Sequence, residues 1–258
     1  MTMMRMWAWV PVSVALVAPL GIVIAAVGPP AEELNRKPST YAPAKDLESQ
    51  IQFFMDRIKD DLEDASKYDE TRIKRVVRDA NTLAVLALVL GKHDETNRFQ
   101  ASAGALLESS LGLAEKTQNH AEAKAAYGKV VEATTTAGGS ATLTWKSVGD
   151  IGELMNQVPA LNTNLRGTVR SDTRFDKLRD KAAGLAATIA AIAQVSALDD
   201  SYCTNQADRT DWIELSGLMR DAAYEVNQAV HRGDQEAAIE ALKPLARTCD
   251  DCHAQFKE

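Results

Sequence analysis

Cys249, Cys252 and His253, in the stretch "TCDDCHAQFKE", are the residues of this sequence best suited to chemistry. Positions i, i+3 and i+4 share one face of a helix. Two thiols and an imidazole so placed can attack the two vinyl groups of a porphyrin edge and reach the iron beside it. C-x-x-C-H is the spacing of c-type haem attachment, and histidine is a standard proximal ligand. Three other readings compete. A zinc site needs about four ligands, and the further candidates Cys203, His93, His120 and His231 show no partnered spacing. A thioredoxin-like dithiol belongs in a βαβ setting, which this sequence lacks. A chance cluster, closed as a plain disulfide, is the third.

The element that must position these residues is the last predicted helix. Ile239, Leu242, Ala246, Cys249, His253 and Phe256 step by 3, 4, 3, 4 and 3. That stripe predicts a face turned to a bundle core, with the cysteines and histidine pointing inward. Pro244 sits on the other side of the helix and can kink it.

The rest of the chain reads as helical too. It has 258 residues, 45% hydrophobic, with only 14 Gly and 8 Pro. Alternating Val/Ile/Thr runs are almost absent. A net charge of -7 and no Lys/Arg stripe argue against nucleic acid as a partner. No nucleophile–base pair, nucleotide loop or carboxylate pair points to an enzyme. Arg5 followed by the uncharged run Met6 to Pro30 predicts export. Residues 1–28 read as a signal peptide or an uncleaved membrane anchor, the anchor being favoured because the run approaches the ~20 residues that span a bilayer. A good small-x-small cleavage site is missing. Arg5 before the run and Glu32-Glu33 after it place the body outside, in the periplasm or beyond. Residues 29–45, with Pro29, Pro30, Pro38 and Pro43, read as an extended tether.

Eight helices follow, at about 46–65, 70–91, 95–117, 119–135, 146–168, 172–196, 209–231 and 234–256. Asp211 with Glu214 suggests a capping-box start to the seventh, and Gly233-Asp234 a turn and cap before the eighth. Four plus four suggests an internal repeat. "IQFFM" (51–55) aligns with "IGELM" (151–155). Arg72, Ala80, Leu83 and Ala84 align with Arg174, Ala182, Leu185 and Ala186, and Glu122, Ala123, Lys129 and Thr134 with Glu236, Ala237, Lys243 and Thr248. Cys249, Cys252 and His253 then fall on Thr135, Gly138 and Gly139. The expected architecture is all-α: two tandem antiparallel four-helix bundles after an N-terminal apolar helix. Residues 46–136 form a haemless bundle and 146–258 one that carries a single haem.

Residues 209–258 resemble the last two helices of the cytochrome c prime family. The resemblance is carried by Trp212, Gly233-Asp234, Cys249/Cys252/His253, Phe256 and Lys257, and extends more loosely from about residue 146. It implies a four-helix bundle with one covalent haem c between the helices. Cys249 and Cys252 would form the thioethers and His253 would bind iron, with Trp212, Phe256 and Lys257 around the ring. The family's distal residue lies on its first helix. Here that segment is "GDIGELMNQVPALN", and Met155 aligns as a sixth ligand, with Leu154 and Val158 packing nearby. Ile151 stands where the family commonly has Arg, and Pro159 interrupts the helix. Met55, the counterpart of Met155, is expected in the core. The resemblance implies electron transfer with a redox partner protein. With Met155 merely packing, it implies binding of a diatomic gas such as NO or CO. Family members dimerise through their first two helices, so the haemless half is expected to replace the partner subunit, giving a pseudo-dimer. Cys203 is left over as a free or cross-linked thiol.

Overall fold

The computed structural model describes residues 31–136 and 143–256. The apolar segment 1–28, Gly138 and Gly139, and Lys257 lie outside the described residues. Among the described residues there are ten α-helices and no strand, and no helix is long and apolar enough to cross a membrane.

The first five helices are α1 (Ala31–Leu34), α2 (Ala44–Asp61), α3 (Glu70–Gly91), α4 (Ala103–Ala114) and α5 (His120–Ala133). The next five are α6 (Ile151–Val169), α7 (Asp172–Lys177), α8 (Arg179–Ser196), α9 (Gln206–His231) and α10 (Gln235–Phe256). The side chains of Asp69, Asn119, Asp150 and Asn205 accept from first-turn amides and start α3, α5, α6 and α9, satisfying donors that no helix can satisfy itself. Asp234 does the same for α10, accepting from the Ala237 amide at 2.9 Å. Gly233 precedes it at φ 70°, where an L side chain is strained.

Boundaries differ from the expected ones in several places: the third predicted helix, 95–117, is α-helical only over Ala103–Ala114, and no side chain caps its start. The seventh predicted helix begins at Gln206 rather than 209, because Asn205 caps it. Asp211 is inside that helix and instead accepts from Gln255 Nε2 of α10 at 2.7 Å. The predicted helix 172–196 breaks at Leu178 into α7 and α8. Residues 29–45 are no free tether over their described part. Tyr41 and Ala42 are fully buried, and the buried Arg220 of α9 binds the Glu33 carboxylate at 2.8 Å. Gln194 Nε2 of α8 donates to the carbonyls of Glu33 and Leu34 at 3.2 Å each.

Neighbouring helices pack as bundles: α2 on α3, α3 on α4, α4 on α5, then α6 on α8, α8 on α9, and α10 on both α9 and α6. Every residue of α3 from Asp79 to Leu90 is buried, as is every residue of α8 from Ala182 to Ser196. A helix apolar all round must be covered all round, and the halves cover each other: α2 packs on α8, α3 on α6, and α3 on α8. One continuous core results. The approach is close enough that a Cβ on Gly184 of α8 would overlap the Gln50 side chain of α2. Asp46 of α2 reaches across to accept from Asn227 Nδ2 at 2.6 Å and from His231 Nε2 at 2.7 Å, both on α9.

Candidate functional site

A cleft of about 350 Å³ opens between α6, α9, α10 and the end of α8, within the ~300–1,000 Å³ typical of cofactor and small-molecule sites. Cys249, Cys252 and His253 of α10 line it. So do Met155, Val158, Pro159, Asn162 and Arg166 of α6, which follow one another at i, i+3, i+4, i+7 and i+11, one face of a helix. Helix α6 runs antiparallel to α10: Gln235 Nε2 at the start of α10 donates to the Val169 carbonyl at the end of α6, at 2.9 Å.

The fully buried side of α10 is Ala238, Leu242, Leu245 and Thr248. This seam is rotated from the predicted stripe. Ile239, Ala246, Cys249 and Phe256 are half-buried at its border, and His253 is exposed. The cysteines and histidine therefore face the cleft rather than the packed core. His253 has no hydrogen-bond partner among the described residues.

Trp212 of α9 lines the cleft and is 4% exposed. Its indole Nε1 donates to the Ser196 carbonyl at 2.7 Å, which fixes the ring plane. Phe256 meets it edge-on at 5.1 Å, and Tyr202 stacks on it at 5.6 Å. Sequence reasoning found Trp212 and Phe256 but missed Tyr202, whose loop has no periodicity to betray it. It also missed Asn162 and Arg166, which helical spacing from Met155 could have shown. Leu154 is not in the cleft; at 1% exposure it belongs to the core, whereas Val158 lines the wall. Met155 is half-buried on the cleft and Met55 is 7% exposed in the core.

The two thiols carry no disulfide, and neither does Cys203. Burial pushes the pKa of both Cys249 and Cys252 up, that of Cys252 to about 11, with Asp250 adding to the effect on Cys249. Cys249 Sγ donates to the Leu245 carbonyl at 3.5 Å. Thiols so held are protonated at neutral pH, unlike the low-pKa thiolate of a redox dithiol. Among the described residues no three His, Cys, Asp or Glu side chains converge as a metal site. The histidines considered for zinc are engaged elsewhere: His93 with the Ala42 carbonyl, His120 with the Leu62 carbonyl and His231 with Asp46. No known protein family, curated protein or solved structure matches this chain.

The donor set fits a haem better than a bare metal ion. A porphyrin brings four of its own nitrogens, so the protein needs only one or two axial ligands, plus thiols at the ring edge. The cleft has an unpartnered imidazole, two protonated thiols at i and i+3, a thioether on a second helix and an aromatic wall.

Proposed function

We propose that this chain is an exported c-type cytochrome with one covalent haem, carrying single electrons to and from a protein partner. The observation that carries this reading is the meeting of Cys249, Cys252, His253 and Met155 on one cleft. Cys249 and Cys252 would hold the ring covalently, each thiol adding its S–H across a vinyl C=C, which needs no oxidant. His253 and Met155 would hold the iron, one from α10 and the other from α6. Trp212 and Phe256 would shield the ring from water, and Lys257 joins them only by the family resemblance. Bound there, haem supplies the one-electron ferric/ferrous couple, whose potential a methionine ligand raises.

Wild-type protein is expected to be low-spin with a methionine-to-iron charge-transfer band. Met155→Ala is expected to abolish that band, give high-spin iron and admit CO. A second reading is that Met155 only packs and the site binds a diatomic gas. It is favoured by Pro159, which cannot donate to the Met155 carbonyl and so loosens α6 at that turn. High-spin wild-type iron that binds CO readily would select it over electron transfer.

We also infer two tandem bundles, the haemless one standing where a partner subunit would. The support is symmetry. The first two long helices of one half are α2 and α3; those of the other are α6 and α8. The contacts α2 on α8 and α3 on α6 exchange under a twofold, and α3 on α8 maps onto itself, as in an isologous dimer interface. Ala80, Leu83 and Ala84 and their repeat counterparts Ala182, Leu185 and Ala186 are all buried. The mass of the chain by light scattering, in detergent if the apolar segment is retained, is expected to be that of one chain. A tight homodimer through α6 and α8 would contradict the inference.

A further inference from the structure

On the α6 wall of the cleft two polar side chains are without partners among the described residues. The half-buried Arg166 lines the cleft, and its guanidinium makes no ion pair or hydrogen bond among the described residues. One turn earlier on the same face, Asn162 Oδ1 is buried with no hydrogen bond. Buried polar atoms are normally satisfied, and the cost of leaving one unsatisfied is about 1–3 kcal/mol. The buried Arg220 of α9, by contrast, is paired with Glu33, Asp221 and Gln194. Arg166 and Asn162 thus form a cation beside an amide that can turn its Nδ2 toward the same point. A carboxylate is the chemistry that satisfies both, since the guanidinium fork matches its two oxygens.

We propose that Arg166, with Asn162, binds the carboxylate edge of the porphyrin. This rests on the haem reading above. The placement supports it. Thioethers at Cys249 and Cys252 would fix the vinyl edge of the ring at the end of α10. The carboxylate side chains of a haem lie away from that edge. Because α6 is antiparallel to α10, the eleven residues from Met155 to Arg166 lead away from His253, about 16 Å along the axis. A long guanidinium side chain can reach back over part of that distance. Arg166 is a positioning residue here: it would orient the ring and add a positive charge on its carboxylate side, which favours the ferrous state.

The test uses the haem-loaded full chain. Arg166→Gln is expected to lower the midpoint potential, the reduction equilibrium falling several-fold and at most roughly tenfold for one partly screened unit charge. It is also expected to shift the propionate bending band in the resonance Raman spectrum. Arg166→Lys is expected to keep the potential near wild type while still shifting that band, because the charge stays and the bidentate fork is lost. An unchanged potential and band in haem-loaded Arg166→Gln overturn the proposal and leave the haem reading standing. Should that variant not accumulate, an unchanged band in Arg166→Lys overturns it equally. A wild-type chain without covalent haem removes both readings together.

Discussion

Replacing Cys249 and Cys252 together by alanine is expected to remove all covalent haem while leaving the helical fold in place. Each thiol is half-buried, and the Cys249 thiol makes a long hydrogen bond to the Leu245 carbonyl. Losing such a bond costs about 1 kcal/mol or less. The seam that holds α10, Ala238, Leu242, Leu245 and Thr248, is untouched. Far-ultraviolet circular dichroism should therefore match wild-type protein, and an in-gel peroxidase stain should vanish. Each single variant keeps one thioether and should stain more weakly. A double variant that still stained would refute the assignment of these thiols.

Arg57→Ala is expected to destabilise the chain by about 3–5 kcal/mol, the usual result of stripping the partner from a buried charge. That is a large share of the ~5–15 kcal/mol that holds most domains folded. The Asp79 side chain is fully buried in α3. Arg57 of α2 grips it with Nε at 2.6 Å and also through Nη2, and Gln157 of α6 donates from Nε2 at 3.0 Å. The guanidinium also packs 5.1 Å from the ring centres of Phe53 and Phe54. Burial pushes the Asp79 pKa up in spite of Arg57, which pulls it down. A carboxyl whose folded pKa is raised favours folding below its unfolded pKa, and that contribution is lost as pH rises through the folded value. Without Arg57 the rise is greater. The deficit of Arg57→Ala should thus be least near pH 4, the ordinary carboxylate range, and grow towards neutrality. Asp79→Asn in the same chain should recover much of it. Urea unfolding at several pH values reads all three effects; a loss under 1 kcal/mol at pH 7 would show the pair to be replaceable.

The all-α class and the long helices were legible in the sequence because α2, α3, α6, α9 and α10 keep a strong apolar period or an apolar run, most of them started by an Asp or Asn cap; α1 and the break of 172–196 into α7 and α8 were not. That Cys249, Cys252 and His253 share one face of a helix was legible from spacing alone. Three further features were not. The orientation of α10 came out rotated, since Leu245 and Thr248 compete with Ala246 and Cys249 for the core and periodicity cannot rank them. The proline-rich stretch was read as a tether because Pro and Glu dominate it locally. What folds it back is Arg220 and Gln194, more than 150 positions away, a tertiary contact with no local signature. The unpartnered state of Arg166 and Asn162 is likewise a fact of three-dimensional surroundings. The inferred duplication draws on both: weak residue matches in order, and the pairing of α2 with α8 and of α3 with α6.

The most direct measurement is a haem stain after denaturing electrophoresis of the wild-type chain, made in cells competent in haem attachment, with haem per chain counted by pyridine haemochrome. Only covalent haem survives denaturation. The account predicts a stained band and one haem per chain, because Thr135 and the two glycines at 138 and 139 stand where the first half would need its own cysteines and histidine. No stain, or two haems per chain, would contradict it.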